Sequence, residues 1–314
     1  MKKKNLALIP AAAAAAFHLG FSAYTFYEVF GRNAKLPGKI NDDIKKNDPA
    51  RISVDPRVEW MHNQEFTKFT IKNDRGETLS ADFLKADTDS KKFILASHGY
   101  RSRGIGEFRF ISKFYHEHGY NLLLVDHIAS GDSEGKYISF GHYESRDLLL
   151  WAKFLIENFG EDISIILHGV SMGCATVLML AGNYELPENV KFVISDCGYS
   201  SAKEQFKSVL DKYHVPSKAL ISTVFLINKA KCGFSLSDVS PIEAVKKIKI
   251  PVLFIHGDKD GLVPLEMAKK MYNTCMTDKE LLIVSGAGHA DSYRKDPAAY
   301  EEKILSFTEK YISE

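Results

Sequence analysis

From Phe66 onward the chain alternates between short apolar runs and longer segments whose apolar residues recur at helical spacing. "FTKFTI" and "LSADFLKA", split by the turn "NDRGET", read as a β-hairpin. Then come "KFILASHG", "YNLLLVD", "ISIILHG", "VKFVISD", "IPVLFIHG" and "ELLIVSGAGH". Each is an apolar run of buried-strand length, rich in Val, Ile and Leu, that closes on Gly, Asp or His. "GHYESRDLLLWAKFLIENFG" and "PLEMAKKMYNTC" are of helix length. Alternation of this kind predicts an α/β fold, a mostly parallel central sheet with helices on both faces. A ligand is then expected at the carboxyl ends of the strands. The rhythm breaks once, between "VISDCG" and "KIPVLFIHG". There "SAKEQFKSVLDKYH" and "SKALISTVFLINKA" predict two helices of a small lid, about residues 198–247, inserted after the sixth strand.

The amino terminus follows another pattern. Lys2, Lys3 and Lys4 precede residues 5–27, which contain no Asp, Glu, Lys or Arg, and Glu28 and Arg32 close the stretch. Roughly 20 apolar residues span a bilayer core, and a lysine cluster on the amino side stays in the cytoplasm. Residues 1–32 are therefore expected to be a transmembrane signal-anchor at the cell membrane, with the folded domain outside. A signal segment cleaved on secretion is the alternative, since Pro10, His18 and the alanine run weaken the span. Residues 33–60, with "LPGK" and "NDDIKKND", predict a polar spacer, leaving 61–314 as the domain. Removal of residues 1–32 is then expected to leave that domain soluble and active.

Composition narrows the function classes. Of 314 residues, 45% are hydrophobic and 26% charged, as in ordinary globular proteins. A formal net charge of +1 gives no electrostatic reason to expect nucleic acid as a partner. Cys174, Cys197, Cys232 and Cys275 are widely spaced and form no C-x-x-C pair, which argues against a zinc or thiol-redox site. No H-E-x-x-H, Walker or EF-hand pattern occurs. "GIGEFR" ends on Arg109 where a dinucleotide loop needs glycine, so neither a cofactor nor a metal is expected.

Nucleophilic chemistry is a better match. Gly169-Val170-Ser171-Met172-Gly173 fits G-x-S-x-G, after the strand "ISIIL" and before the helix-like "CATVLMLAG". The glycines permit a sharp turn that lifts the Ser171 hydroxyl clear at a helix amino terminus. A serine needs an oriented base, and His289 follows the last strand. Candidate acids are Asp260, Asp258 and Asp196; Asp260 gives the chain order Ser, Asp, His and stands shortly before Pro264. The oxyanion formed on attack needs preorganised donors. The backbone N–H groups of Met172 and, in "HGYRSRG", Tyr100 are placed to supply them, with His98 a structural hydrogen-bonder in that loop.

Seven segments in order, "SHGY", "DHIASGDSEG", "GHYESRDLLLW", "HGVSMG", "SDCGYSS", "HGDKDGLVP" and "GAGH", resemble the α/β-hydrolase superfamily. The likeness is to bacterial exported or membrane-anchored, esterase-like or serine-aminopeptidase-like members, and covers the chain from about Trp60. It implies the α/β-hydrolase fold, Ser171 as nucleophile, Asp260 as acid, His289 as base, and Tyr100 and Met172 as oxyanion donors. One segment departs. After the Asp matching Asp126, many relatives carry Arg-Gly-His-Gly, where Ile128, Ala129, Ser130 and Gly131 stand here. The expected activity is carboxylesterase-like cleavage of a small ester through an acyl-enzyme. The lid aromatics, with Tyr199 and Phe206 as candidate substrate contacts, point to an apolar acyl or aromatic group. Amide, peptide or thioester hydrolysis would use the same residues, and a non-catalytic ligand-binding protein on this fold is the alternative of another class.

Overall fold

The structure, a computed structural model, describes residues 8–34, 55–215 and 217–312. Lys2, Lys3 and Lys4, and residues 35–54 of the expected spacer, lie outside the described residues. Among the described residues eight strands form one sheet in the order β1-β2-β4-β3-β5-β6-β7-β8. They are β1 (Thr67–Lys72), β2 (Thr78–Leu84), β3 (Lys92–Ser97), β4 (Asn121–Asp126), β5 (Ser164–Val170), β6 (Val190–Asp196), β7 (Val252–Gly257) and β8 (Lys279–Val284). The hairpin β1–β2 joins β4 antiparallel, and every later pairing is parallel.

Side-chain alternation divides the core between the two faces of the sheet. Phe93, Leu95, Ile165 and Leu167 pack with Trp151, Leu155, Val177 and Leu178 on one face. These partners come from α5 (His142–Phe159) and α6 (Met172–Asn183). Ile94, Ala96 and Ile166 turn to the other face and meet Tyr300, Ile304 and Phe307 of the last helix, α12 (Pro297–Tyr311). That face also carries α2 (Pro56–His62), started by Asp55, whose carboxylate accepts from the Arg57 N–H. The short helices α3 (Gly104–Phe108) and α4 (Ser112–Glu117) follow β3.

The insertion after β6 holds α7 (Ala202–Lys212), α8 (Ser217–Cys232), a 3-10 turn (Leu236–Asp238) and α9 (Pro241–Ala244). Its apolar side joins Met172, Ala175 and Met179 of α6 in a third cluster. α10 (Leu265–Thr274) and α11 (Ser292–Lys295) complete the helices used below.

The amino-terminal expectation is corrected here. Among the described residues no helix is long and apolar enough to cross a membrane. α1 (Leu8–Phe30) has the length, at 23 residues, but His18, Ser22, Tyr24, Thr25, Tyr27 and Glu28 dilute its apolarity. Its carboxyl half is also used inside the fold: Ser22, Phe26 and Phe30 are fully buried, and His18 Nε2 lies 2.9 Å from Thr223 Oγ1 of α8. The single-pass anchor, with the domain outside the cell, does not hold.

Candidate active site

The carboxyl edge of the parallel strands is where the backbone is strained. Arg101, Ala129, Ser171, Cys197 and Ala290, in the loops after β3, β4, β5, β6 and β8, have φ of 58°, 60°, 55°, 54° and 52°. Each such residue costs on the order of 1–3 kcal/mol and persists only where its surroundings impose it. At Ser171 they do. A Cβ on Gly169 would strike the Gly173 backbone, and one on Gly173 would strike the Ser97 carbonyl, so the turn is tight and α6 lies directly on the sheet. The Ser171 N–H donates to Asp196 O at 2.9 Å.

His289, in the loop after β8, reaches this serine. Ser171 Oγ is 2.9 Å from His289 Nε2, and His289 Nδ1 is 2.8 Å from Asp260 Oδ2. A carboxylate only accepts, so Nδ1 carries the ring proton and Nε2 is left to accept from the serine hydroxyl. Asp260 is itself held by four donors. Leu262 and Val263 N–H groups donate to Oδ1 at 2.8 Å each. His256 Nε2, 3.3 Å from Oδ2, joins His289 on the other oxygen and also donates to Val263 O. Burial alone would raise the Asp260 pKa, but the His289 charge and the hydrogen bonds from His256 and His289 hold it well below the usual carboxylate range. Burial alone would lower His289; Asp260 outweighs that, with smaller help from Glu107 and Asp196, and its pKa is raised.

The other two candidate acids are engaged elsewhere. Asp196 Oδ2 accepts from the Tyr300 hydroxyl at 3.0 Å and Oδ1 from Ser292 Oγ at 3.3 Å. Asp258 accepts from the Gly286 N–H at 2.6 Å, which staples the loop ahead of His289.

Met172 is the first residue of α6, so its N–H has no acceptor within the helix. The loop carrying Tyr100 runs against Ser171: a Cβ on Gly99 would lie 3.4 Å from Ser171 Cβ. Two side chains fix that loop. Glu107 Oε2 accepts from the Gly99 N–H at 3.0 Å. His98, fully buried, pairs through Nδ1 with Gly99 O at 2.7 Å and through Nε2 with the His127 N–H at 3.0 Å. The segment that departs from the Arg-Gly-His-Gly pattern is organised by Asp126, whose carboxylate accepts from Gly104 and Asp132 N–H groups at 2.9 and 2.8 Å. Gly131 is required beside it, since a Cβ there would strike that carboxylate.

Glu107 and His256 were not identified from the sequence. Each acts by which backbone or carboxylate it touches, and Glu107 lies in the "GIGEFR" segment set aside as a failed dinucleotide loop. Of the lid residues, Tyr199 is buried with its hydroxyl on Phe140 O at 2.8 Å. Phe206 stacks on Phe30. Both belong to the cluster that contains Met172. Cys197, Asp260 and His289 offer ligand atoms within 4.8 Å of one another. A metal there would have to break the His289–Asp260 bond and ionise a thiol whose pKa burial pushes well up. All four cysteines are free thiols.

Residues 164–290 match the Serine hydrolase (FSH1) family. The chain is 30% identical over 250 residues to the protein YqkD of Bacillus subtilis, covering 79% of this chain and 81% of that one. It is 25% identical over 271 residues to alpha/beta hydrolase domain-containing protein 17C of Xenopus tropicalis, covering 83% and 77%. Among solved structures it is similar to the Pyrococcus furiosus esterase Pf2001, with a TM-score of 0.65 at 21% identity over 83% of this chain and 96% of that one. That likeness is one of fold: the eight-stranded, mostly parallel sheet flanked by helices is the α/β-hydrolase fold.

Proposed function

This chain belongs to the α/β-hydrolase superfamily, within which it matches serine hydrolases and esterases, and we propose that it hydrolyses carboxylic esters through Ser171, His289 and Asp260. The observation that carries the reading is the continuous hydrogen-bonded chain from Ser171 through His289 to Asp260, built on a strained turn at the strand ends. His289 Nε2 takes the hydroxyl proton as Ser171 Oγ bonds to the ester carbonyl carbon. The oxyanion then lies between the N–H groups of Tyr100 and Met172, each such donor contributing about 3–4 kcal/mol in comparable sites. The imidazolium returns its proton to the leaving alcohol as the C–O bond breaks. Water, deprotonated by the same ring, next releases the acid and regenerates the serine. Asp260 keeps the ring in the required tautomer and stabilises its charge, which fits the donors that hold its carboxylate ionised.

The test is labelling by a fluorophosphonate probe with the full chain. Wild type is expected to label and Ser171→Ala not to; an unlabelled wild type turns the reading into that of a ligand-binding protein. A panel of p-nitrophenyl esters beside aminoacyl amides and thioesters then ranks the bond types. Faster amide or thioester turnover would replace the ester assignment.

A further inference from the structure

An acyl group on Ser171 Oγ has to lie on apolar surface beside the oxyanion donors. A cavity of about 40 Å³, lined by Glu107, Phe108, Val170, Asp196 and Ala290 among others, has room for about three water molecules and carries two acids, so it does not suit a hydrocarbon chain. The apolar cluster that holds Met172 and Val263, with Tyr100 and Leu262 packed against it, also holds Phe26 and Phe30 of the first helix.

Phe30 is fully buried in that cluster. Its ring stacks on Phe206 at 5.9 Å and meets Phe140 edge-on at 5.1 Å. Phe140 in turn stacks on the Tyr100 ring at 5.2 Å. Next to Phe206, the Gln205 amide donates to Leu262 O at 3.1 Å, two residues past Asp260. An aromatic roof therefore runs from the oxyanion loop to the acid loop, and Phe30 stands in its middle.

α1 is latched in that place by the oxyanion loop itself. Tyr100 Oη donates to Val29 O at 2.7 Å. The Arg101 guanidinium donates to Glu28 O at 2.6 Å, to Gly31 O at 3.3 Å, and to Ala34 O. Carbonyls at a helix end have no partner in their own helix, and a cation there is favoured by the dipole. α1 and the loop that carries Tyr100 are thus tied together.

From this we infer that Phe30 is a specificity-determining residue that closes the acyl pocket, so that the enzyme accepts short acyl groups and rejects long ones. The inference rests on the ester-hydrolase reading above. The test compares kcat/KM for p-nitrophenyl octanoate with that for p-nitrophenyl acetate, in the full-length wild type and in Phe30→Ala. Removal of the ring is expected to raise the octanoate-to-acetate ratio by at least about tenfold, the discrimination available from a few methylenes in an apolar pocket. An unchanged ratio, with both esters altered in parallel, overturns the inference and leaves Phe30 a packing residue. Should Phe30→Ala fail to fold by circular dichroism, Phe30→Leu provides the same ratio, with a smaller rise expected and the same parallel response against it. Fluorophosphonate labelling separates the two failures. A labelled wild type with an unchanged ratio defeats only the assignment of Phe30, whereas an unlabelled wild type defeats the hydrolase reading and this inference with it.

Discussion

At the scale of single residues, the site depends on how Asp260 sets His289. In the proposed mechanism the ring acts as a base and has to be neutral, so activity is expected to fall as pH drops through its pKa, which lies above the ordinary 6.5. Asp260→Asn removes the group that raises it and offers the ring the wrong tautomer. The expected result is a fall in kcat of about 10,000-fold, with the acid limb of the kcat/KM profile moved to lower pH and a melting temperature near that of wild type. If Asp196→Asn produces that pattern and Asp260→Asn does not, the acid is Asp196. Ser171, Asp260 and His289 stand out in the sequence because each lies within five residues of the end of a recognisable strand, with glycine close by. Glu107 and His256 are not, because nothing in their own neighbourhoods announces a partner; only the folded chain brings Glu107 to Gly99 and His256 to Asp260.

At the scale of elements, the eight strands and the two longer lid helices can be read from apolar run length and spacing, and α1 shows where such reading fails. Ser22, Phe26 and Phe30 recur every four residues and form the buried stripe. Phe17, Leu19, Phe21, Tyr24 and Tyr27, on the rest of the helix, are apolar or aromatic too and remain exposed. A helix without a charged face gives no sign of which side docks, so its composition resembles that of a membrane segment. The docking changes what truncation should do. Loss of two buried phenylalanines costs about 3–5 kcal/mol each, and also uncovers Phe140 and Phe206. A chain lacking residues 1–34 is expected to melt at least about 10 °C below full length, or to be recovered only as aggregate. Equal melting temperatures and equal ester turnover would make α1 dispensable.

Across the whole molecule, the sheet order follows from parallel crossovers and their handedness rather than from any single strand, which is why the sequence yields the strands but not the order β2-β4-β3-β5. Global stability should carry the signature of a buried acid behind the site. Burial raises Asp196 to about 6 from 3.8, despite the Tyr300 hydrogen bond. A raised carboxyl pKa means that the folded state holds an extra proton between those values, so its contribution is full well below 3.8 and lost as pH rises through 6. Urea unfolding of wild type and Asp196→Asn is therefore expected to show wild type gaining about 2 kcal/mol relative to the variant between pH 7.5 and pH 4. A difference that does not vary with pH would mean that the carboxyl is already ionised in the fold. The docking of α1 has a consequence in time as well. His18 meets Thr223, a partner 205 positions later, and loop closure over such a span is slow. α1 must therefore wait, its docking face exposed, until α8 has been synthesised some 205 positions behind it.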